Sequence, residues 1–283
     1  MTRSAGLGTS GGQRGLGADG GRPRPVAGVS RPRLATGTSQ DEAARRRAAG
    51  GWTAAAHWRT RAILAWTLGI AGMAAYNWWL LVPLKPGLMT SPDELFSNLE
   101  VTGRPYATAM QHADLASGVL LLAAFWAAGH GTSLASRREW LSMLVFALAG
   151  AIGGLFPEVC ADGVNAVCRS QEYRLELPAS QYIHMVAGIL EFAAITAALL
   201  YAVRRTRDQR TRPAACYRGL AIGALVAYPL LGAAYVFDRF GGIMEAVFFA
   251  GFTVMVITQL AERASAAKAA SRAVPASRQY CRV

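Results

Sequence analysis

The chain has 283 residues, 53% of them hydrophobic and only 16% charged, well short of the roughly 25% charge of a typical soluble domain. That shortage points to a membrane before any segment is inspected. A formal net charge of +12 would suit a nucleic-acid partner if the charge were clustered for one, so its distribution decides its meaning. Arginine supplies 27 of the 29 basic residues, a bias suggestive of a GC-rich bacterial genome.

Residues 1–60 are rich in Gly, Arg, Ser, Thr and Pro, without apolar periodicity or an aromatic residue before Trp52. Such a segment cannot bury enough apolar surface to offset chain entropy, and it reads as a disordered basic leader. It is no secretory signal, because its first long apolar run begins only near Arg61.

Six apolar runs follow, at about 62–83, 107–129, 140–156, 182–203, 217–237 and 243–261. Each is close to the 17–25 residues that a bilayer-spanning helix needs. The expected fold is all-α, a polytopic bundle of six transmembrane helices over 61–262, with a cytoplasmic tail at 263–283. Trp78, Trp79, Trp140, Tyr182, Tyr201 and Tyr217 lie near run ends, where interfacial aromatics belong.

Placing the N-terminus inside puts 24 Lys and Arg on the cytoplasmic side and five outside, namely Lys85, Arg104, Arg169, Arg174 and Arg239. The short loop at 204–216 weighs most, since the positive-inside rule is strongest for short loops beside a span. This predicts an N-in, C-in protein of a bacterial plasma membrane, with membrane lipids as partners and an unknown protein partner left open. The basic face then needs no nucleic acid, and none is expected.

In this topology Cys160 and Cys168 fall in the loop between spans three and four, facing an oxidising space. A disulfide is the leading reading there, with free thiols or metal ligation as alternatives. Gly163 and Asn165 allow the turn. Zinc pairs normally leave two to four residues between cysteines, not seven. Cys216 and Cys281 lie on the cytoplasmic side.

Ionisable groups inside spans are costly, so each is a candidate site residue. Span two carries His112 and Asp114, span four His184 and Glu191, and span six Glu245; Asn77 sits in span one. All fall in the outer half, whereas the inner half, His130 at its boundary apart, looks nearly free of such groups. His184 and Glu191 share a helix face about 10 Å apart. His112 and Asp114, two apart, point in different directions, so at most one faces the interior. These residues are read as lining an outward-opening polar crevice, beside the plainer reading of hydrated interfacial side chains and interhelical hydrogen bonds. Glu191 alone is deep enough to resist the plainer reading. No metal site, cofactor motif, Walker loop, nucleophile elbow or dinucleotide fingerprint is expected.

The stretches "SPDELFSNLEVTGRPY" with the span after it, and "GGLFPEVCADG" followed by "SQYIHMVAG", resemble an uncharacterised family of bacterial multi-spanning proteins, the domain-of-unknown-function 998 type. The resemblance covers about residues 62–262. It implies six or so helices and no established activity, and it highlights Glu94, Glu100, Pro105, Pro157, Asp162 and His184. Three functions compete. The leading one is a non-enzymatic membrane protein that binds a lipid, amphiphile or partner through the crevice. A second is a proton- or ion-coupled transporter using Glu191, with His184 as relay. The third is an intramembrane metal hydrolase, which lacks paired histidines on a late span.

Overall fold

The computed structural model describes residues 60–89, 91–129, 134–161, 165–237 and 239–273, all within the compact unit Ala48–Val283. The leader at 1–59, His130, Asp162, Gly163 and Cys281 lie outside the described residues. No strand occurs among those described. The helices are α1 (60–76), α2 (Ala107–Ala128), α3 (Leu134–Leu155), α4 (Ala166–Tyr173), α5 (Ala179–Arg205), α6 (Arg212–Phe237) and α7 (Gly241–Ala273). A 3-10 segment, Asn77–Leu84, extends α1, and a 3-10 turn, Ser97–Glu100, sits in the loop before α2.

Four helices, α3, α5, α6 and α7, are long and apolar enough to cross a membrane. The protein is therefore membrane-embedded and multi-pass. α2 matches them in length but carries Gln111, His112 and Asp114 in its first two turns, and α1 is continued by the 3-10 segment. α7 runs on to Ala273, beyond the predicted start of the tail at residue 263. Its last stretch, "ERASAAKAASRA", is polar but rich in strong helix formers.

α3 is the central element and packs most extensively on α5 and α2, while α6 packs on α7 and α5. Glycine sets the closest approach. A Cβ on Gly118 of α2 would collide with the Ala151 backbone of α3, and one on Gly154 of α3 with the Leu115 backbone of α2. The two helices thus meet backbone to backbone, the geometry that small residues permit between membrane helices. The core they enclose is aromatic: Tyr76, Phe146 and Phe252 stack within 5.8 Å of one another, centroid to centroid.

One end of this bundle carries a disulfide between Cys160 and Cys168, whose Cα atoms are 5.7 Å apart. The opposite end carries the arginine-rich turn between α5 and α6. The loop closed by the disulfide ends in the first turn of α4, which runs on to Tyr173. Asn165 caps α4, its Oδ1 accepting from the backbone N–H groups of Val167 (3.0 Å) and Cys168 (3.3 Å). In a thiol-labelling experiment on denatured protein, Cys168 should take up a maleimide only after reduction, read by peptide mass. Labelling without reductant would contradict the disulfide.

Candidate functional site

At the disulfide end, carboxyl groups from several elements converge beneath a folded loop. Asp114, Ser117 and Gly118 share one face of α2 by their three- and four-residue spacing. That face meets Phe146 and Gly150 of α3, Tyr76 of α1 and Glu191 of α5 around a cavity of about 20 Å³. Gly150 faces Glu191: a Cβ there would sit in ordinary contact, 3.7 Å from Glu191 Oε1. The space holds about one water.

Asp114 is held by Trp78, whose indole Nε1–H donates to its Oδ1 at 2.6 Å. The Glu100 carboxyl, arriving from the 3-10 turn, lies against Asp114 within hydrogen-bonding reach. Two carboxyls so placed cannot both ionise freely. Burial, and then the Asp114 charge, push the Glu100 carboxyl well above the usual range. Glu191 and Glu245 complete the group, each within electrostatic reach of Asp114.

The loop above is tied down at several points. Phe96 N–H donates to Glu245 Oε2 at 2.5 Å, and Phe240 N–H to Asp93 Oδ1 at 2.7 Å. Arg104 pairs with buried Glu94 and donates to the carbonyls of Asn98 (3.1 Å) and Leu88 (3.2 Å). Gln111 Nε2 donates to the Glu100 carbonyl at 2.5 Å. Phe96 and Leu99 pack with Val82 and Met110 beneath it. On the far side, buried Gln181 receives Val159 N–H at 3.0 Å and reaches the Cys160 carbonyl at 3.3 Å and Glu172 at 3.4 Å. Glu172 in turn accepts from Tyr235 of α6 at 2.5 Å. The disulfide turn is thereby fixed to α4, α5 and α6.

The sequence candidates separate on this frame. Asp114, Glu191 and Glu245 are brought together. His184 stands at the rim, its Nδ1–H shared between the carbonyls of Gly153 and Phe156 at 3.1 Å each, and its Nε2 3.9 Å from Glu158 Oε1. Asn77 is not at the cavity. It ties α1 to α7 through Thr253 Oγ1 (3.1 Å) and receives the Trp79 indole N–H at 3.2 Å. His112 is exposed on the opposite face of α2, because a two-residue step turns a helix by more than half a circle. Pro105 is exposed and Pro157 half-buried in the loops. Asp114, Gly150 and Glu191 on the wall of the small void are half-buried. An open pocket of about 310 Å³ lies elsewhere at this end, between the Glu94–Arg104 pair and the disulfide.

At the opposite end of the bundle, just beyond the predicted apolar runs, charged side chains pair across helices. Arg205 of α5 donates to both oxygens of Glu139 of α3 (2.7 and 3.1 Å) and to Glu262 of α7 (3.0 Å). Gln259 adds a 2.8 Å bond to Glu139, and Tyr217 of α6 a 2.7 Å bond to Glu262. Tyr217 is fully buried, not interfacial. One guanidinium thus joins four helices.

Among the described residues no three His, Cys, Asp or Glu side chains converge to hold a metal ion. Chemically, the disulfide-end cluster can store protons, pass them between carboxyls, or hold one small ion. No curated protein and no solved structure matches the chain. A family model does match, over residues 69–262, the stretch that contains the cavity, the loop above it and the arginine network. The chain belongs to the family described as "Protein of unknown function (DUF998)".

Proposed function

We propose that this is a six-span bacterial plasma-membrane protein, with both termini in the cytoplasm, that couples a proton or small ion to its activity as a transporter. Glu191 is the coupling group and His184 its relay. The topology rests on the arginine excess at one end and the disulfide at the other, which needs an oxidising compartment. The observation that supports the function is the placement of Asp114 and Glu191 on the wall of a void of about 20 Å³, with Glu245 within electrostatic reach of both. That space suits a proton carrier or a bare ion and is far too small for an acyl chain.

Binding of a lipid, amphiphile or partner is the second reading, and the open pocket of about 310 Å³ beside Arg104 favours it. The intramembrane hydrolase has no ligand set among the described residues. Native mass spectrometry of the detergent-purified protein, with bound lipids and ions retained, separates the two main readings. The coupling reading expects no lipid whose stoichiometry changes in Glu191→Gln. A stoichiometric amphiphile lost on Arg104→Ala, and kept in Glu191→Gln, would replace it with the binding reading.

A further inference from the structure

The void beside Glu191 has features that proton storage does not require. A proton resides on a carboxyl oxygen and needs no space of its own. Here space for one water-sized particle is left between side-chain oxygens of four residues on three helices: Tyr76, Asp114, Ser117 and Glu191. Ser117 is 2% exposed and its Oγ has no hydrogen-bond partner. Tyr76 is 7% exposed, and its hydroxyl, beside the Glu191 carboxyl, makes no hydrogen bond of ordinary geometry. Buried hydroxyls are normally satisfied, so the unpartnered Ser117 Oγ on the wall of this void indicates an occupant.

Charge distinguishes what that occupant is. The groups facing the region are Glu100 and Glu158 from the loops, Asp114 on α2, His184 and Glu191 on α5, Glu245 on α7, and the Tyr76 phenol on α1. Only His184 among them can carry positive charge. A water would fill the space while the carboxyls are protonated, but once Asp114 and Glu191 are ionised it leaves their charge uncompensated among Phe146 and its aromatic neighbours. A cation would compensate it. Ca²⁺ needs six to eight oxygens, and Mg²⁺ keeps several waters of its own. Neither demand fits a one-water space with four side chains. Transition metals call for His or Cys donors, which the void lacks.

We infer that Asp114, Glu191, Ser117 and Tyr76 form a binding site for a small dehydrated monovalent cation of the Na⁺ class. The inference rests on the reading of this site as ion-handling, and it names the ion. Carboxylates and hydroxyl oxygens are the hard donors such a cation takes. Protons compete with it for the same carboxyls, so binding strengthens as pH rises.

Equilibrium binding of radioactive Na⁺ to the purified full-length protein, in choline buffer at mildly alkaline pH, tests this. One saturable Na⁺ per chain is expected, displaced by Li⁺ and by acidification and only weakly by K⁺. Ser117→Ala removes one ligand and should weaken binding about tenfold, equivalent to roughly 1.4 kcal/mol, while the protein still elutes as folded. Glu191→Gln should abolish it. No saturable Na⁺ binding by the wild type, or equal binding by wild type, Ser117→Ala and Glu191→Gln, would overturn the site. Absent Na⁺ binding together with Glu191-dependent proton flux in vesicles would remove the cation and leave the coupling proposal standing. Na⁺ binding without any flux would do the reverse.

Discussion

Arg205→Ala should destabilise the bundle by about 2–3 kcal/mol, less than the roughly 3–5 kcal/mol lost from a fully buried ion pair, because about a quarter of the Arg205 side chain is exposed. Three charge-assisted hydrogen bonds disappear, two to Glu139 and one to Glu262. The larger cost is what remains. Glu139 is only 5% exposed, and with Glu262 it would be left as a carboxylate with no cation between them. Gln259 and Tyr217 can each donate one hydrogen bond but supply no charge. The guanidinium also lies 5.7 Å above the Tyr217 ring, so truncation removes a cation–π contact and the packing of the side-chain stem. Against a total stability of about 5–15 kcal/mol for a typical protein, this loss would take a large fraction. Arg205→Lys keeps the charge but cannot make the bidentate fork, so its loss should be clearly smaller. Thermal unfolding of the detergent-solubilised variants measures both. A loss under about 0.5 kcal/mol for Arg205→Ala would place the network with exposed, nearly neutral ion pairs.

That network was hidden from the sequence for a simple reason. Glu139, Arg205 and Glu262 each sit at the end of an apolar run, where a charge reads as a loop charge. Only the assembled bundle places one guanidinium between two carboxylates from different helices. The helices themselves were largely legible, because a bilayer-length run of apolar residues has few other uses. Boundaries failed where that signal is absent. The polar extension of α7 to Ala273 has helix propensity but no apolar run, and α4 is an eight-residue helix marked only by its Asn165 cap.

The candidate site was half visible. Glu191 and Asp114 stand out as acids within apolar runs, and their cost in a membrane makes them suspects. Their surroundings do not stand out. Trp78 reads as an interfacial aromatic yet donates its N–H to Asp114. Ser117, Gly118 and Gly150 read as packing residues yet shape the void. Glu100, in a loop, shows no sign in the chain that it folds down against Asp114. Of His112 and Asp114 only one can face the interior, and helix geometry turns His112 outward. Types and depths are properties of one run, whereas partners depend on how runs are arranged.

The second large effect concerns Glu191 itself. In the proposed coupling role Glu191 has no substitute: Asp114 is already engaged by Trp78 and Glu100, and Glu245 by the Phe96 N–H. Glutamine keeps the shape of the side chain and its fit beside Gly150 but cannot accept and release a proton or carry charge. The most direct measurement is proton and Na⁺ flux across vesicles reconstituted with the full chain, followed with an internal pH-sensitive dye under imposed pH and Na⁺ gradients. Wild-type vesicles should dissipate the gradient. Glu191→Gln should slow this by about a hundredfold, the low end of what a positioned proton-transfer group contributes, and Glu245→Gln should slow it far less. Equal rates in wild-type, Glu191→Gln and protein-free vesicles would contradict the account.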